Sequence, residues 1–223
     1  MNSLDFIFPK KCVGCGKFGS YICVDCFSKI EFIDKPVCAV CARQAVGGKT
    51  HPGCSTRYTL DGLVVACRYK GAVRAAVVKI KYRWIYDISK VLVNLLVDSL
   101  WRYDLPDDVI LVPIPLHASR RNWRGFNQAE LLAGELAKRF KVRMNTKLIF
   151  RVMNTKTQVG LLRDERKKNI KGAFVVSQSE KCKGKRFILV DDVFTTGATM
   201  NEACRVLKTA GAAGVWGMTA ALD

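Results

Sequence analysis

Val190-Asp-Asp-Val-Phe-Thr-Thr-Gly-Ala-Thr199 joins an acidic pair to a small, hydroxyl-rich loop. Upstream, Arg186-Phe-Ile-Leu-Val190 is an apolar run of strand length, and downstream Met200 to Ala210 spaces its apolar residues as a helix does. The stretch therefore predicts a strand that passes through a loop into a helix. In an open α/β sheet, ligands gather outside the carboxyl ends of the strands, where a helix N-terminus offers unpaired backbone N–H groups to a phosphate. The loop from Thr195 through Ala198 to Thr199 would supply those donors, with hydroxyls added by Thr195, Thr196 and Thr199. Gly197 lets the backbone approach an anion with no Cβ in the way. Asp191 and Asp192 would then face ribose hydroxyls or a bound magnesium ion, so the combination suits a sugar phosphate. A simpler arrangement uses the same residues: Thr199 and Glu202 have the spacing of a capping box, which makes the stretch an acidic turn before a capped helix.

The other end of the chain carries a second pattern. Cys12-x-x-Cys15, Cys23-x-x-Cys26, Cys38-x-x-Cys41 and His51-x-x-Cys54 are four knuckles of metal-ligand spacing. Each two-residue gap lets both ligands of a knuckle turn toward one metal, and two knuckles complete a closed tetrahedral zinc site. Sequential pairing predicts an all-cysteine site from the first two knuckles and a site of three cysteines and one histidine from the last two. The competing arrangement is the disulfide framework of a secreted domain. Against it, the stretch from Met1 to Lys10 has no basic start and no long apolar core, as Asp5 interrupts it, so the chain is expected in the reducing cytoplasm. Cys67, Cys182 and Cys204 stand alone and read as small buried hydrophobes.

A chain of 223 residues has room for one ordinary domain and a small one. Residues 1–57 lack long periodic apolar segments, so metal has to supply much of their folding energy, on the order of 10 kcal/mol per structural site. Residues 58–223 change in character and are expected to have a core of their own. Strands are predicted at Gly62–Arg68, Val109–Ile114, Lys147–Arg151, Ala173–Val176, Phe187–Val190 and Val215–Ala221, and helices at Ala72–Arg83, Ile88–Tyr103, Asn127–Phe140 and Met200–Ala210. From Val109 onward they alternate as a parallel-sheet α/β domain requires. The richest apolar stretch, Val91 to Val97, is broken by Asn94 and closed by Asp98, far short of the about 20 residues that span a bilayer, so no membrane insertion is expected.

The chain holds 37 Lys and Arg against 19 Asp and Glu, a net charge of +18, and this excess points to polyanionic partners. It is clustered in Arg68 to Arg83, in Arg120, Arg121 and Arg124 around Trp123, in Arg163 to Lys171, and in Lys181 to Arg186. Single- or double-stranded DNA is one partner that such patches fit; a solvated basic face around a pyrophosphate site is the other reading.

The decapeptide resembles the phosphoribosyl-pyrophosphate (PRPP) motif of the type I phosphoribosyltransferases, with no departure over its length. The resemblance implies that Asp191 and Asp192 hold the ribose 2′ and 3′ hydroxyls and that Thr195, Thr196, Gly197, Ala198 and Thr199 wrap the 5′-phosphate. Zinc knuckles followed by such a domain resemble the ComF family of competence-related proteins. Arg68-Tyr-Lys-Gly-Ala-Val-Arg74, the string Arg124-Gly-Phe-Asn-Gln-Ala-Glu130, and Thr157-Gln-Val-Gly-Leu-Leu162 carry the likeness between the two ends. His51 departs from it, since family members often have cysteine there.

The resemblance further implies a pyrophosphate-side turn at Pro113-Ile-Pro115-Leu116 and a cover over the leaving group from Gln158 to Asn169. Arg163 and Arg166 are then the candidate catalytic cations, with Lys81 a further PRPP contact and magnesium the accompanying metal. His117 reads as structural. Two functions stay open. One is a magnesium-dependent phosphoribosyltransferase linked to DNA uptake or nucleotide metabolism. The other is a non-catalytic, PRPP-sensing accessory protein that binds DNA or a helicase-like partner.

Overall fold

The structure is a computed structural model that describes residues 9–82, 87–153 and 170–223. Five parallel strands form the central sheet: β1 (Gly62–Arg68), β2 (Val109–Pro113), β3 (Arg143–Met144), β6 (Arg186–Phe194) and β7 (Gly214–Leu222), in the order β1-β7-β6-β2-β3. On one face, α2 (Gly71–Tyr82), α3 (Ile88–Ser99) and α5 (Gln128–Phe140) close a core around Leu92, Leu96, Leu132, Leu136, Ile188 and Val190. On the other face, α6 (Ala198–Thr209) packs Ala203 and Leu207 over Phe187 and Leu189. Strands covered on both faces need apolar residues at nearly every position, which is why Leu63 to Cys67 and Phe187 to Val190 read as unbroken runs. Cys67, Cys182 and Cys204 are fully buried, and burial pushes the Cys67 and Cys204 thiols up to about 12. No helix among the described residues is long and apolar enough to cross a membrane.

Several elements differ from their sequence signals. β4 (Ile149–Arg151) and β5 (Phe174–Val176) do not join the parallel sheet; they pair antiparallel with each other, and Ile149 and Phe174 fill the core under α6. The edge beside β2 is taken instead by β3, whose two exposed residues give no alternation to detect. α4 (Ala118–Arg124) has no apolar periodicity either; it is a polar helix of about two turns between the sheet and α5. α3 stops at Ser99, followed by a 3₁₀ turn over Leu100–Arg102, and Tyr103 leaves it in extended conformation. β6 is longer than its apolar run, because its ladder with β7 continues through Asp191 opposite Thr219 and Phe194 opposite Leu222. The acidic pair therefore lies within the strand.

The expectation of two separate cores is overturned at β1. This strand is the outer member of the sheet, and an uncovered edge exposes unpaired N–H and C=O groups. The N-terminal segment, which carries the one-turn helix α1 (Val24–Phe27), covers it. Lys49 bridges Gly62, Ile33 N–H donates to the Ala66 carbonyl at 2.8 Å, Phe32 bridges Cys67, and Arg68 N–H donates to the Glu31 carbonyl at 2.8 Å. Between them the Tyr103 hydroxyl donates to the Val65 carbonyl at 2.7 Å and accepts from its N–H at 3.2 Å. Side chains follow the backbone: Val13 is buried in the core that holds α2 and α3, and Ile33 and Ala39 in the core that holds α6.

Candidate functional site

Asp191 and Asp192 stand near the carboxyl end of β6 and differ in surroundings. Asp192 is buried at 5 % side-chain exposure, and its Oδ2 lies 2.8 Å from Nζ of Lys81, itself 24 % exposed, on the last turn of α2. Burial disfavours the Lys81 ammonium, but the Asp192 carboxylate, helped by Asp191, outweighs it and raises the pKa. Asp191 folds back so that Oδ1 accepts the N–H of Asp192 at 2.9 Å. Burial first and the neighbouring Asp192 charge second push its carboxyl up to about 7, against the opposing pull of Lys81 and Arg151.

The loop that follows is shaped by Gly197. Its φ of 71° is left-handed, and a Cβ there would stand 2.6 Å from the Phe194 ring. α6 begins at the next residue, so its first N–H groups, which no helix can satisfy internally, open beside the carboxyl end of β6. Thr196 Oγ1 accepts the Ala198 N–H at 3.4 Å, which draws the loop in. The Thr199–Glu202 capping box does not form. Glu202 instead accepts from Gly172 N–H at 2.8 Å and holds the Arg205 guanidinium at 2.8 and 2.9 Å, so it ties α6 to the approach of β5.

The string from Arg124 to Glu130 explains how the second turn is held. β2 pairs Pro113 with Val190, so the chain leaves the sheet at Ile114 directly beside the acidic pair. Ile114 N–H donates to the Val190 carbonyl at 2.9 Å. Asn127 does two things at once: its Nδ2 donates to the Ile114 carbonyl at 3.0 Å, and its Oδ1 caps α5 by accepting from Ala129 N–H at 3.0 Å. Gly125 ends α4 in the left-handed region at φ 78°, Arg124 donates to Gln128 at 2.6 Å, and Arg121 forks onto Glu130 at 2.8 and 3.1 Å. Pro115 and Leu116 are thereby fixed, half-buried, between the acidic pair and α4. His117 caps α4, its Nδ1 accepting from Ser119 N–H at 3.3 Å.

Arg151 is a residue that the sequence reading passed over. It is partly buried at the end of β4, its guanidinium 5.7 Å from the Phe174 ring centroid, and its pKa is lowered to about 10 by burial first and by the like charge of Arg120 second, with Asp191 acting the other way. It thus shares an electrostatic neighbourhood with Arg120 and the acidic pair. A signal existed: strand alternation puts Arg151 on the same side as the buried Ile149. Arg163 and Arg166 lie outside the described residues.

The knuckles come together in sequential pairs. The ligand atoms of Cys12, Cys15, Cys23 and Cys26 lie within 4.8 Å of one another, as do those of Cys38, Cys41, His51 and Cys54. Cys15 and Cys23 sulfurs are 3.6 Å apart, close to the about 3.8 Å edge of a tetrahedron with 2.3 Å Zn–S bonds. In the second set, His51 Nε2 is 2.8 Å from the Gln44 carbonyl, which can only accept, so Nε2 carries the proton. Nδ1 is then the unprotonated atom, 3.3 Å from the Cys41 sulfur, in the orientation that a supporting hydrogen bond gives a metal-bound histidine. The residues fit structural zinc. The two ribbons also share a backbone feature: the residue after the second cysteine of each leading knuckle is left-handed, Gly16 at φ 81° and Ala42 at φ 58°.

Comparison with known proteins agrees with this layout. Residues 3–55 match the double zinc ribbon domain, and residues 127–219 match the phosphoribosyl transferase domain. The chain is 31% identical over 202 residues to the DNA utilization protein YhgH of Escherichia coli O6:H1, covering 80% of this chain and 87% of that protein. It is 27% identical over 226 residues to Competence protein F of Haemophilus influenzae, covering 92% of this chain and 99% of the other. Competence protein ComFC of Bacillus subtilis is 26% identical over 199 residues, covering 86% and 80% of the respective chains.

Proposed function

Because the chain belongs to the ComF family of competence and DNA-utilisation proteins, we propose that it binds PRPP at the carboxyl end of β6 and, with magnesium, transfers the phosphoribosyl group to a nitrogen acceptor. The observation that carries this reading is the junction of β6 with α6, where an acidic pair and a loop of helix N–H groups and threonine hydroxyls stand side by side. In this reading Asp191 and Asp192 accept the ribose hydroxyls, and Thr195 to Thr199 hold the 5′-phosphate. Once Asp191 is ionised, two carboxylates beside one ion-paired ammonium leave negative charge that also suits a divalent cation.

The reaction displaces pyrophosphate from the anomeric carbon: a bond from the acceptor nitrogen forms as the bond to the pyrophosphate oxygen breaks, and positive charge builds on the ribose ring. Magnesium, when bound, neutralises pyrophosphate and ribose oxygens. The reaction needs no nucleophile from the enzyme. The Pro115–Leu116 turn lines the leaving-group side, and Arg120 and Arg151 add fixed positive charge there. As a ribose hydroxyl takes up Asp192, Lys81 is released from its ion pair and can follow the charge on the departing pyrophosphate. By the family resemblance, Arg163 and Arg166 are the cations that would meet the leaving group.

A second reading, PRPP binding without turnover by a nucleic-acid-binding accessory protein, is favoured by a different surface. Trp123 is 72 % exposed on α4 among Arg120, Arg121 and Arg124, an aromatic and basic combination on which single-stranded bases stack. Pyrophosphate release from PRPP and magnesium, measured against a panel of bases and short DNA, separates the two. Acceptor-dependent release that falls more than PRPP affinity in Arg163→Ala with Arg166→Ala supports the transferase. PRPP binding with no release supports the accessory protein, and no PRPP binding overturns both.

A further inference from the structure

A cavity of about 330 Å³ lies beyond the loop, at the small end of the range for small-molecule sites. One wall is the second ribbon, from Val37 to Val40 with Ala42, and the other is Thr195 and Thr196. Phe194 and Leu222 supply apolar surface at the ends of β6 and β7, while Arg68, at the end of β1, and Asp223 supply a cation and a carboxylate. Arg68 makes no ion pair among the described residues. Asp191, Asp192, Lys81, Arg151 and the Pro115–Leu116 turn do not line this space. The cavity therefore borders the loop at Thr195 and Thr196, the 5′-phosphate side in the phosphoribosyl reading, without being lined by the acidic pair. PRPP, whose 5′-phosphate is terminal, has nothing to put there.

We infer that this cavity is a second subsite that receives a nucleoside attached through the 5′-phosphate, so that the site takes ribose ligands with a vicinal diol at one end and a nucleotide at the other. The inference rests on the phosphoribosyl reading of the acidic pair and loop. Apolar floor, carboxylate and cation match a base, a sugar hydroxyl and a bridging phosphate in turn. The shared chemistry is a second nucleoside joined through that phosphate. It could be presented by the 3′-terminal ribonucleotide of a strand, through a phosphodiester, or by a pyrophosphate-linked dinucleotide. One wall being a zinc knuckle, the subsite also gives the second ribbon a reason to stand against the α/β core.

The test is titration calorimetry on the full-length, zinc-loaded chain with PRPP, ribose 5-phosphate, adenylyl-(3′→5′)-adenosine and ADP-ribose. At least one extended ligand is expected to bind about tenfold more tightly than ribose 5-phosphate, and which one does so identifies the source. Asp223→Ala, which removes the carboxylate that meets the second sugar, should remove that advantage while leaving ribose 5-phosphate affinity within about twofold. Val40→Trp, which fills the cavity from the ribbon side, should do the same without a charge change. Extended ligands that bind no better than ribose 5-phosphate, or an advantage that survives both variants, overturn the subsite. Failure of PRPP and ribose 5-phosphate alike overturns the phosphoribosyl reading on which it rests.

Discussion

The zinc ribbons and the acidic-pair site reach their geometry by opposite routes. Each ribbon gathers its ligands from one short stretch of chain, Cys12 to Cys26 and Cys38 to Cys54, so regular local spacing suffices to bring four donor atoms together. The site at the end of β6 draws Lys81 from α2, Arg120 from α4, Arg151 from β4 and the Pro115–Leu116 turn from the end of β2. Its loop is local and its charges are not. The difference teaches that local cross-linking and long-range assembly are here stacked on one another, since the ribbon backbone finishes the edge of the sheet that carries the site.

That dependence is where the largest effect is expected. Cys12→Ser with Cys15→Ser, or a strong chelator, should cost several kcal/mol, on the order of the folding energy of a structural zinc site, and should loosen β1 together with the ribbon. Hydrogen exchange would show faster exchange at Ile33 and Arg68 amides in step with the ribbon. Protection of those amides unchanged after metal loss would restore the picture of two independent cores.

The acidic pair should split in sign. Asp192→Asn leaves the largely buried Lys81 ammonium without its counter-charge and should lower stability by about 2–4 kcal/mol, read from urea unfolding at pH 7.5. Asp191→Asn should raise it. A carboxyl whose folded-state pKa is lifted from 3.8 to about 7 favours folding while protonated, and that contribution is lost as pH rises from about 4 through about 7. The asparagine therefore gains about 1–3 kcal/mol at pH 7.5, allowing for partial solvent access, and little at pH 4. Both substitutions should weaken PRPP binding in the presence of magnesium. Equal stability changes for the two would mean that their environments do not differ as the structure has them.

The smallest effect compares the ribbons with each other. Ala42 holds in the second ribbon the left-handed conformation that Gly16 holds in the first, and a Cβ makes that conformation costly. Ala42→Gly should stabilise zinc retention or folding by about 0.5 kcal/mol, the relief of strain being partly offset by a more flexible unfolded chain. Destabilisation beyond about 1 kcal/mol would show that the methyl group packs more than it strains.

Taken by itself, the sequence determined the zinc ribbons, the strand, loop and helix around residues 190–199, and the family, because each depends on spacing over a few residues: two between ligands, one apolar run, one glycine where a Cβ has no room. It also carried the reason for the Arg124–Glu130 string without disclosing it, since Asn127 reaches the Ile114 carbonyl only when β2 and α5 are packed. Tertiary structure alone decided the rest. It set β4 and β5 apart from the sheet they resemble in pattern, because short strands with one apolar face fit either pairing. It separated two adjacent aspartates into an ion-paired one and a proton-holding one, through burial and the arrival of Lys81 and Arg151 from far along the chain. And it joined the ribbon to the sheet, because an edge strand's unpaired backbone must be covered by something, and nothing in a strand's own residues says by what.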